Sequence, residues 1–476
     1  MVRGNPNRAG SRVAITARAA LAALLALLAV TAAAAPSVFP TGTTIYDPTK
    51  AWNGFTAFVT PSADGGVLVD MNGNLVKHWP QFSDVSGGPF RVLPGGYAMG
   101  PTEPNFPHLE TFALLEVDWD GKAVWKFDHN EQVRRRDGTS VWAARQHHDW
   151  QREGSPVGYY APGTAPLATS GRTLVLAHKS AMAAQIADHE LDDDYIAELD
   201  WGGKVLWEWH ASAHFDELGF TPEARAAIRA AAERARGAFD WLHVNSMSYV
   251  GPNHWYDDGD RRFAPDNIII SSRQASIIAI LDRTGAVVWR VGPDSRDSEA
   301  LAKLGQIIGQ HNPHLIPERL PGAGNVLVFD NGGASGYGYT TPSAPNGENA
   351  LARDSSRVLE FDPTTFAKIW EYTIGGQEHY RFYSHYISSA QRLANGNTLI
   401  TEGADGRIFE VTPAKEIVWE YVSPFFSNQP TAPGVPPSHR IYRAYRIPYD
   451  WVPQAGRPEE RAVNPPQLSE FRVPSQ

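Results

Sequence analysis

The chain has 476 residues and a net charge of −10, and it contains 42 Gly, 36 Pro, 15 Trp and no Cys. This composition is typical of a large all-β protein with many turns, and it excludes a disordered or fibrous chain. The acidic charge and the lack of a basic stripe argue against nucleic acid as a partner. Without cysteine, disulfides, thiol nucleophiles and thiolate metal sites are excluded.

The N-terminus has the pattern of a secretory signal. Four arginines within the first eighteen residues precede or border the apolar run ALAALLALLAVTAAAA, which ends in small residues before Pro36. We therefore expect residues 1–35 to be a signal peptide. The mature protein would then be exported, to the periplasm or the extracellular space, with no membrane contact. Because the apolar run is a little short for a transmembrane helix, an uncleaved anchor is the alternative.

One short phrase recurs six times: an acidic start, a turn, and a β-rich run that ends in tryptophan. Each copy predicts a β-hairpin, because apolar residues alternate around a turn rich in Asp, Asn and Gly. A unit repeated in this way must stack on its neighbours to bury its apolar face. The turns open at Asp70, Asp118, Asp200, Asp282, Asp362 and Thr412, and the runs end at Trp79, Trp125, Trp207, Trp289, Trp370 and Trp419.

A second phrase, a turn followed by an apolar strand, precedes most copies, as in RVLPGGYAMG and LANGNTLITEG. Together with the hairpin and a preceding strand it gives about four antiparallel strands per repeat, as in a propeller blade. The sequence therefore predicts an all-β, six-bladed β-propeller with short helical insertions over residues 40–455, and a tail at 456–476. The predicted insertions are a helix at Thr221–Phe239, a short helix around Ser295–Ile308 and a loop at Gly332–Asp354, and Arg440–Val452 is expected to add a strand to the ring.

Histidine recurs where the inner strands of four consecutive blades are predicted, in the segments RQHHDW, DWLHVNSM, GQHNPHLI and YSHYISS. The inner strands of a propeller line its central channel, so residues far apart in the chain meet around one axis. We therefore expect His148, His243, His311 and His385 to converge at one mouth of the channel. The tryptophans, in contrast, are expected to pack between blades.

Converging imidazoles suit three kinds of chemistry: metal binding, nucleophilic or acid–base catalysis, and anion binding. Compact metal-ligand spacings such as H-E-x-x-H are absent, and few carboxylates lie beside these histidines. We therefore rank covalent catalysis above metal binding and expect no metal and no cofactor. Two alternatives are a non-enzymatic propeller that binds a ligand or protein at the cell surface, and a quinone- or metal-dependent oxidoreductase propeller.

Several of these segments also resemble the bacterial arylsulfotransferases. The most specific are DWLHVNSMSY with NIIISSRQASIIAI, and GQHNPHLIP with NVLVFDNGG. FYSHYISSAQRLANGNTLITEG is similar to the last third of that family. The resemblance extends from about Ala51 to Trp451.

The resemblance implies that the protein transfers a sulfuryl group from a phenolic sulfate donor to a phenol acceptor without a nucleotide. The implied route is ping-pong, through a sulfohistidine. His243 and His311 match active-site histidines of the family, and His385 is the candidate nucleophile, with His311 as the alternative. The matching segments assign substrate or sulfate binding to Arg273, Asn245, Asn312 and Asn331. The family's arginine after F-D-N-G is missing here, and Arg357 is expected to replace it.

Overall fold

The computed structural model describes residues 41–84, 88–105, 109–135, 137–430 and 435–465. The predicted signal peptide and the last part of the predicted tail, 466–476, lie outside these residues. Export and signal cleavage therefore stay predictions. Residue Val463 of the predicted tail exchanges backbone hydrogen bonds with Tyr46, at 2.8 and 2.9 Å.

Six antiparallel sheets are arranged as the blades of a propeller, which confirms the predicted all-β fold and its six blades. Each blade has a core of four strands that run from inner to outer in chain order, except that the inner strand of blade 1 comes from the C-terminal part of the chain. Blade 1 comprises Ala444–Ile447, Phe55–Val59, Gly66–Val69 and Leu75–Trp79. Blade 2 comprises Arg91–Leu93, Tyr97–Pro101, Leu114–Val117 and Ala123–Phe127. Blade 3 comprises Gln146–Arg152, Thr173–Ala181, Leu191–Leu199 and Val205–His210. Blade 4 comprises Val244–Tyr249, Ile268–Ser272, Ile277–Leu281 and Val287–Val291. Blade 5 comprises His311–Leu315, Val326–Asp330, Arg357–Phe361 and Lys368–Tyr372. Blade 6 comprises Ser389–Arg392, Thr398–Glu402, Arg407–Val411 and Ile417–Val422.

Further strands decorate this ring. Pro104–Asn105 and Glu110–Thr111 extend blade 3 beyond its inner strand, and Glu131–Arg134 pairs with Ser140–Ala143. Ser335–Tyr337 pairs with Glu348–Leu351. This last hairpin lies inside the segment predicted as the loop Gly332–Asp354, so that segment has more regular structure than its Gly- and Pro-rich composition indicates.

Strands from the two terminal parts of the chain close the ring where blade 6 meets blade 1. Ala444–Ile447 pairs with Phe55–Val59 and becomes the inner strand of blade 1, which confirms the strand predicted within Arg440–Val452. Gly42–Tyr46 pairs with Ile417–Val422 at the outer edge of blade 6. Separating blade 6 from blade 1 therefore requires one of these two strand pairings to break. The pairings hold the ring closed in a chain that cannot form disulfides.

The repeated tryptophans connect each blade to the next, as the sequence predicts. In five blades the indole Nε1–H donates to a backbone carbonyl in the hairpin turn of the following blade, whereas Trp79 packs edge-on against Trp119 at 5.6 Å. These bonds run from Trp125 to Trp201 (3.0 Å), Trp207 to Arg283 (3.0 Å), Trp289 to Pro363 (2.8 Å), Trp370 to Pro413 (3.0 Å) and Trp419 to Met71 (2.8 Å).

Replacing Trp289 by phenylalanine tests this contact. The ring stays aromatic but loses its bond to the Pro363 carbonyl and part of its buried volume. We expect the free energy of unfolding to fall by about 2 kcal/mol, from one lost hydrogen bond and a small void. Urea denaturation followed by fluorescence measures this change, and an unchanged midpoint would show that the contact contributes nothing.

Buried ion pairs form a second link between blades. The glutamate two residues before three of the hairpin turns reaches an arginine on the inner strand of the next blade, and each pair is almost fully buried. The pairs are Glu116 with Arg152 (2.5 Å), Glu360 with Arg392 (2.5 Å) and Glu410 with Arg446 (3.2 Å). The acidic start of the repeated phrase is therefore a connection between blades as well as a turn signal.

The helices are insertions between strands. Helix α1 is Pro222–Arg234, and the Thr221 side chain accepts a hydrogen bond from the Ala224 backbone N–H at 3.2 Å. The predicted cap is confirmed, whereas the helix ends five residues before the predicted end at Phe239. Helix α2 is His254–Asp257 and helix α3 is Glu299–Leu304, within the second predicted insertion. None of the helices in the described part of the chain has the length and apolar character needed to cross a membrane. Short 3-10 helices cover Ala211–Leu218, Arg261–Phe263, Ser295–Asp297, Gly376–Arg381, Gly403–Asp405 and Tyr449–Trp451.

Candidate active site

A cavity of about 470 Å³ opens at one mouth of the channel. The structure places all four predicted histidines in its lining, together with Arg273. The lining residues are His148, His243, Arg273, His311 and His385, with Asp84, Leu109, Tyr386, Ile387, Arg440 and Tyr442.

The histidines meet because each lies at, or just before, the start of an inner strand. In blades 3, 4 and 5 the pairing register shifts at this point, so each inner strand carries a bulge. His148 and His243 have φ values of 55° and 52°, in the left-handed region that side chains other than glycine seldom adopt. Bulges and positive φ values re-aim side chains and are concentrated at functional sites. Here they turn the side chains toward the mouth of the channel.

Asp240 orients His243. The His243 Nδ1 lies 2.5 Å from the Asp240 carboxylate, which also accepts the His243 backbone N–H at 3.1 Å. Burial would raise the pKa of Asp240, but the charge of His243 and its hydrogen bond outweigh burial and hold that pKa well below its ordinary value. Because Nδ1 is taken by a charged carboxylate, Nε2 is the nitrogen that His243 offers to the cavity.

His148 packs against His243, with ring centroids 4.6 Å apart and an edge-to-face arrangement. Its Nδ1 lies 2.8 Å from Nδ1 of His147, so Nε2 is again the nitrogen available to the cavity. Burial, followed by the neighbouring imidazoles of His243 and His147, lowers the pKa of His148 well below its ordinary value. His148 is therefore neutral at neutral pH.

Both ring nitrogens of His311 are hydrogen-bonded. Nδ1 lies 2.7 Å from the Asn331 side-chain oxygen, and Nε2 accepts the Ile387 backbone N–H at 3.2 Å. Asn331 also donates from Nδ2 to the carbonyls of Ser384 (2.6 Å) and Ile387 (2.8 Å). Burial lowers the pKa of His311 well below its ordinary value, although the bond to Asn331 opposes this. His311 and Asn331 therefore hold the segment that carries His385.

His385 differs from the other three. Its side chain is exposed at the mouth, and no hydrogen bond to its ring occurs among the residues that the structure describes. Burial of part of the ring and the positive charge of Arg273 lower the pKa of His385, while Asp405 raises it less. His385 is therefore a neutral imidazole with its nitrogens free, which is what a nucleophile requires.

Two arginines line the cavity, and only the charge of Arg440 is paired with a lining carboxylate. Among the described residues, the hydrogen bonds of the Arg273 side chain are long, to the Gln274 side chain (3.4 Å) and the Ala334 carbonyl (3.3 Å), so most of its donors are available to an anion. Arg440 pairs with Asp84 at 2.8 Å across the mouth. Planar guanidinium groups bind tetrahedral oxyanions through paired N–H donors.

Four predicted binding residues do not line the cavity, and one of them, Asn331, instead holds the His311 ring. The expected sulfate contact of Arg357 is corrected, because its guanidinium is bound to Asp330 (2.7 Å) and to backbone carbonyls between blade 5 and α3. Asn245 donates to the Gln310 carbonyl at 2.7 Å and connects blades 4 and 5. Asn312 is buried next to His311 in the chain, with a φ of 54°.

The sequence prediction missed Arg440, Tyr442 and Tyr386. Arg440 lies four residues before the inner strand of blade 1, the same offset that His385 has from the inner strand of blade 6. A signal for Arg440 was therefore present. The sequence indicates this position for Arg440 only if the C-terminal strand is assigned to the innermost position of blade 1.

Comparison with known proteins identifies the class to which this fold and site belong. A family model described as Arylsulfotransferase (ASST) matches residues 165–421, which is more than half of the chain. The chain therefore belongs to the arylsulfotransferase family, as the resemblance predicts. No curated protein matches the chain.

Solved structures with similar folds have low sequence identity. A protein of unknown function from Bacteroides caccae has a TM-score of 0.43 at 10% identity, covering 83% of this chain and 99% of that chain. A putative 6-phosphogluconolactonase from Bacteroides fragilis has a TM-score of 0.35 at 11% identity, covering 84% and 100%. Virginiamycin B lyase from Staphylococcus aureus has a TM-score of 0.31 at 10% identity, covering 72% and 86%.

Proposed function

We propose that the protein transfers a sulfuryl group from a phenolic sulfate ester to a phenol by a ping-pong route, with His385 as the covalent carrier. The observation that supports this most directly is a neutral, exposed and unbonded histidine beside Arg273, in a cavity that also holds a histidine oriented by a carboxylate. The quinone- or metal-dependent alternative needs metal ligands at the channel mouth. Within the described ranges, the group that could hold a metal, His147, His178 and Asp194, lies next to the cavity but does not line it.

In the first half-reaction, a nitrogen of His385 attacks sulfur and the bond from sulfur to the phenolic oxygen breaks. The electron pair leaves with the phenolate, which takes a proton from Nε2 of protonated His243 while Asp240 balances the charge. In the second half-reaction, His243 takes the proton of the acceptor phenol, whose oxygen attacks the sulfur and breaks the N–S bond. The enzyme is then restored.

Arg273 and Arg440 supply the electrostatic part of this reaction. Their guanidinium groups face the cavity, where the sulfuryl oxygens would lie and where negative charge moves toward the leaving oxygen. Removal of one such donor typically costs about 10²–10³ in rate. Tyr386, Tyr442 and Leu109 give the cavity apolar walls that suit the aromatic ring of a small phenol.

The direct test is to incubate the protein with 4-nitrophenyl sulfate alone and to map the adduct by mass spectrometry under conditions that preserve the N–S bond. We expect an addition of about 80 Da, one sulfuryl group, on His385, lost when a phenol is added. His379→Ala is the matched control, since His379 is a partly exposed histidine bonded to Asp354 outside the cavity. Sulfuryl transfer from 4-nitrophenyl sulfate to an added phenol, with release of 4-nitrophenol but without any labelled histidine, would contradict the proposal.

The pH profile of the transfer gives a second prediction. Since the pKa of His385 lies below the ordinary value, the neutral form persists as the pH falls through about 6.5, the reference value for histidine. Activity is lost only when the pH falls through the lowered pKa. We therefore expect the acid limb of kcat/KM to have its midpoint below pH 6.5. A midpoint above pH 6.5 would show that the acid limb reports the protonation of a group other than His385.

A further inference from the structure

A second cluster of ionisable side chains lies inside blade 3, next to the cavity. His147, His178 and Asp194 come from three adjacent strands, and each is at most 2% exposed. One nitrogen from each imidazole and one carboxylate oxygen all lie within 4.8 Å of one another. The proposed sulfuryl transfer uses none of these three groups.

Two nitrogens in this cluster lack partners. Neither the His147 Nε2 nor the His178 Nε2 makes a hydrogen bond within the described structure. The nearest carboxylate oxygen, Asp194 Oδ1, lies 3.4 Å from the His147 Nε2 without hydrogen-bond geometry. Buried polar atoms are nearly always paired. Two unpaired imidazole nitrogens beside a buried carboxylate are donor atoms that a cation could bind.

The opposite side of each ligand group is held by a fixed partner. His178 Nδ1 lies 3.0 Å from the Glu110 carboxylate, and the Asp194 carboxylate accepts the Val244 backbone N–H at 3.1 Å. His147 Nδ1 contacts His148 Nδ1 at 2.8 Å. A carboxylate or other acceptor on the second nitrogen of a histidine is the usual outer shell of a metal site, because it fixes the ring and its tautomer.

The surroundings carry an excess of negative charge. Asp192, Asp193 and Asp194 are consecutive and all buried. The single guanidinium of Arg145 is shared among the carboxylates of Glu110 (3.0 Å), Glu131 (2.5 Å) and Asp192 (2.5 Å). One guanidinium facing three carboxylates leaves negative charge beside His147, His178 and Asp194, of which His178 balances a part through its contact with Glu110 at 3.0 Å.

We propose that His147 Nε2, His178 Nε2 and Asp194 hold one divalent transition-metal ion of the Zn²⁺ type. Two imidazoles and a carboxylate form a donor set that suits zinc, whereas all-oxygen sites suit Mg²⁺ and Ca²⁺. The two rings are stacked with centroids 3.9 Å apart. Because imidazole lone pairs lie in the ring plane, one ring must turn out of the stack for both nitrogens to point at one ion, and no hydrogen bond on either Nε2 has to be broken for this.

Such an ion would act on the cavity through His147. With the metal on Nε2, neutral His147 carries its proton on Nδ1 and donates it to the His148 Nδ1. Neutral His148 must then carry its own proton on Nε2, the nitrogen available to the cavity, and becomes a donor to a sulfuryl oxygen. This consequence rests on the proposed function, whereas the metal site itself does not.

The test uses the full chain without a histidine tag, stripped with EDTA, dialysed and titrated with Zn²⁺ or Co²⁺. We expect about one equivalent to bind, with visible Co²⁺ absorption bands typical of nitrogen and oxygen ligands. Asp194→Asn and His178→Gln should each weaken binding by about 100-fold or more, since loss of an outer-shell partner alone costs 10–100-fold. His129→Gln, which removes an exposed histidine paired with Asp128, should leave stoichiometry and affinity unchanged.

Thermal unfolding separates a lost site from a misfolded variant. Zn²⁺ should raise the Tm of the stripped wild-type protein and of His129→Gln, because a ligand that binds only the folded state stabilises it. It should not raise the Tm of the two site variants. A stripped wild-type protein that binds neither metal would overturn the proposal, and so would equal binding by wild type and both site variants. Neither result depends on sulfuryl transfer, so failure of this proposal is distinguishable from failure of the proposed function.

Discussion

His385→Ala is expected to lower kcat/KM for transfer from 4-nitrophenyl sulfate to a phenol by roughly 10⁴-fold or more, because it removes the atom that attacks sulfur. Such a loss corresponds to about 5 kcal/mol of transition-state stabilisation. The fold should be unaffected, since the His385 side chain is exposed and its ring is unbonded within the described structure. Steady-state kinetics together with a urea melt measure both effects.

His311→Ala provides the comparison that identifies the nucleophile. The His311 ring supports the Ile387 backbone and is held by Asn331, so its loss should displace the segment around His385 and lower activity less than removal of His385 itself. The labelled histidine should still be detected in His311→Ala. A variant series in which His385→Ala keeps the label and His311→Ala loses it would reverse the assignment. Full donor turnover with both substitutions would exclude a histidine carrier.

Asp149→Asn is expected to destabilise the protein by about 3–5 kcal/mol, which is the usual cost of breaking a buried ion pair from one side. Asp149 is fully buried and accepts from Arg91 (2.9 Å) and Arg443 (2.7 Å), whose guanidinium groups come from blade 2 and from the segment leading into the inner strand of blade 1. It also accepts the Met247 backbone N–H of blade 4 at 3.3 Å. The carboxylate thus joins four blades at the axis. Its loss leaves the positive charges of two buried guanidinium groups without the negative charge that balances them.

Glu299→Gln is the matched control for this measurement. It breaks a pair of similar length, Glu299 with Lys303 at 2.7 Å, in which both side chains are at least 75% exposed. Exposed pairs of this kind contribute at most about 1 kcal/mol. Similar urea midpoints for the two variants would show that the Asp149 junction does not hold the ring together.

The β-propeller was predictable because its signal is local and repeated. Alternating apolar residues, Asp- and Gly-rich turns and a terminal tryptophan specify each hairpin within about a dozen residues, and the structure contains all six. The same locality explains α1, where Thr221 and Pro222 mark the first turn. The hairpin inside Gly332–Asp354 was missed, because glycine- and proline-rich composition masks short strands.

The candidate site was predictable only where a residue repeats at an equivalent blade position. The histidines satisfy this condition in four blades, and the structure gathers them in one cavity, although their catalytic roles stay predictions. Arg357 was assigned to sulfate because it follows a family segment, but its neighbours in space are Asp330 and the α3 carbonyls. His178 was passed over because it lies on the second strand of blade 3, where no repeat draws attention to it.

The sequence by itself determined the number of blades, the hairpin turns, the strand at the C-terminus and the histidines at the inner strands, since each depends on short-range patterning of apolar and turn residues. Only the tertiary structure decided which charges meet. Asp149 and Arg443 are 294 positions apart in the chain, yet they lie 2.7 Å apart, because the C-terminal strand closes the ring beside blade 2. The same closure brings Arg440 into the cavity. Buried electrostatics depends on contacts between distant segments, and no local pattern encodes them.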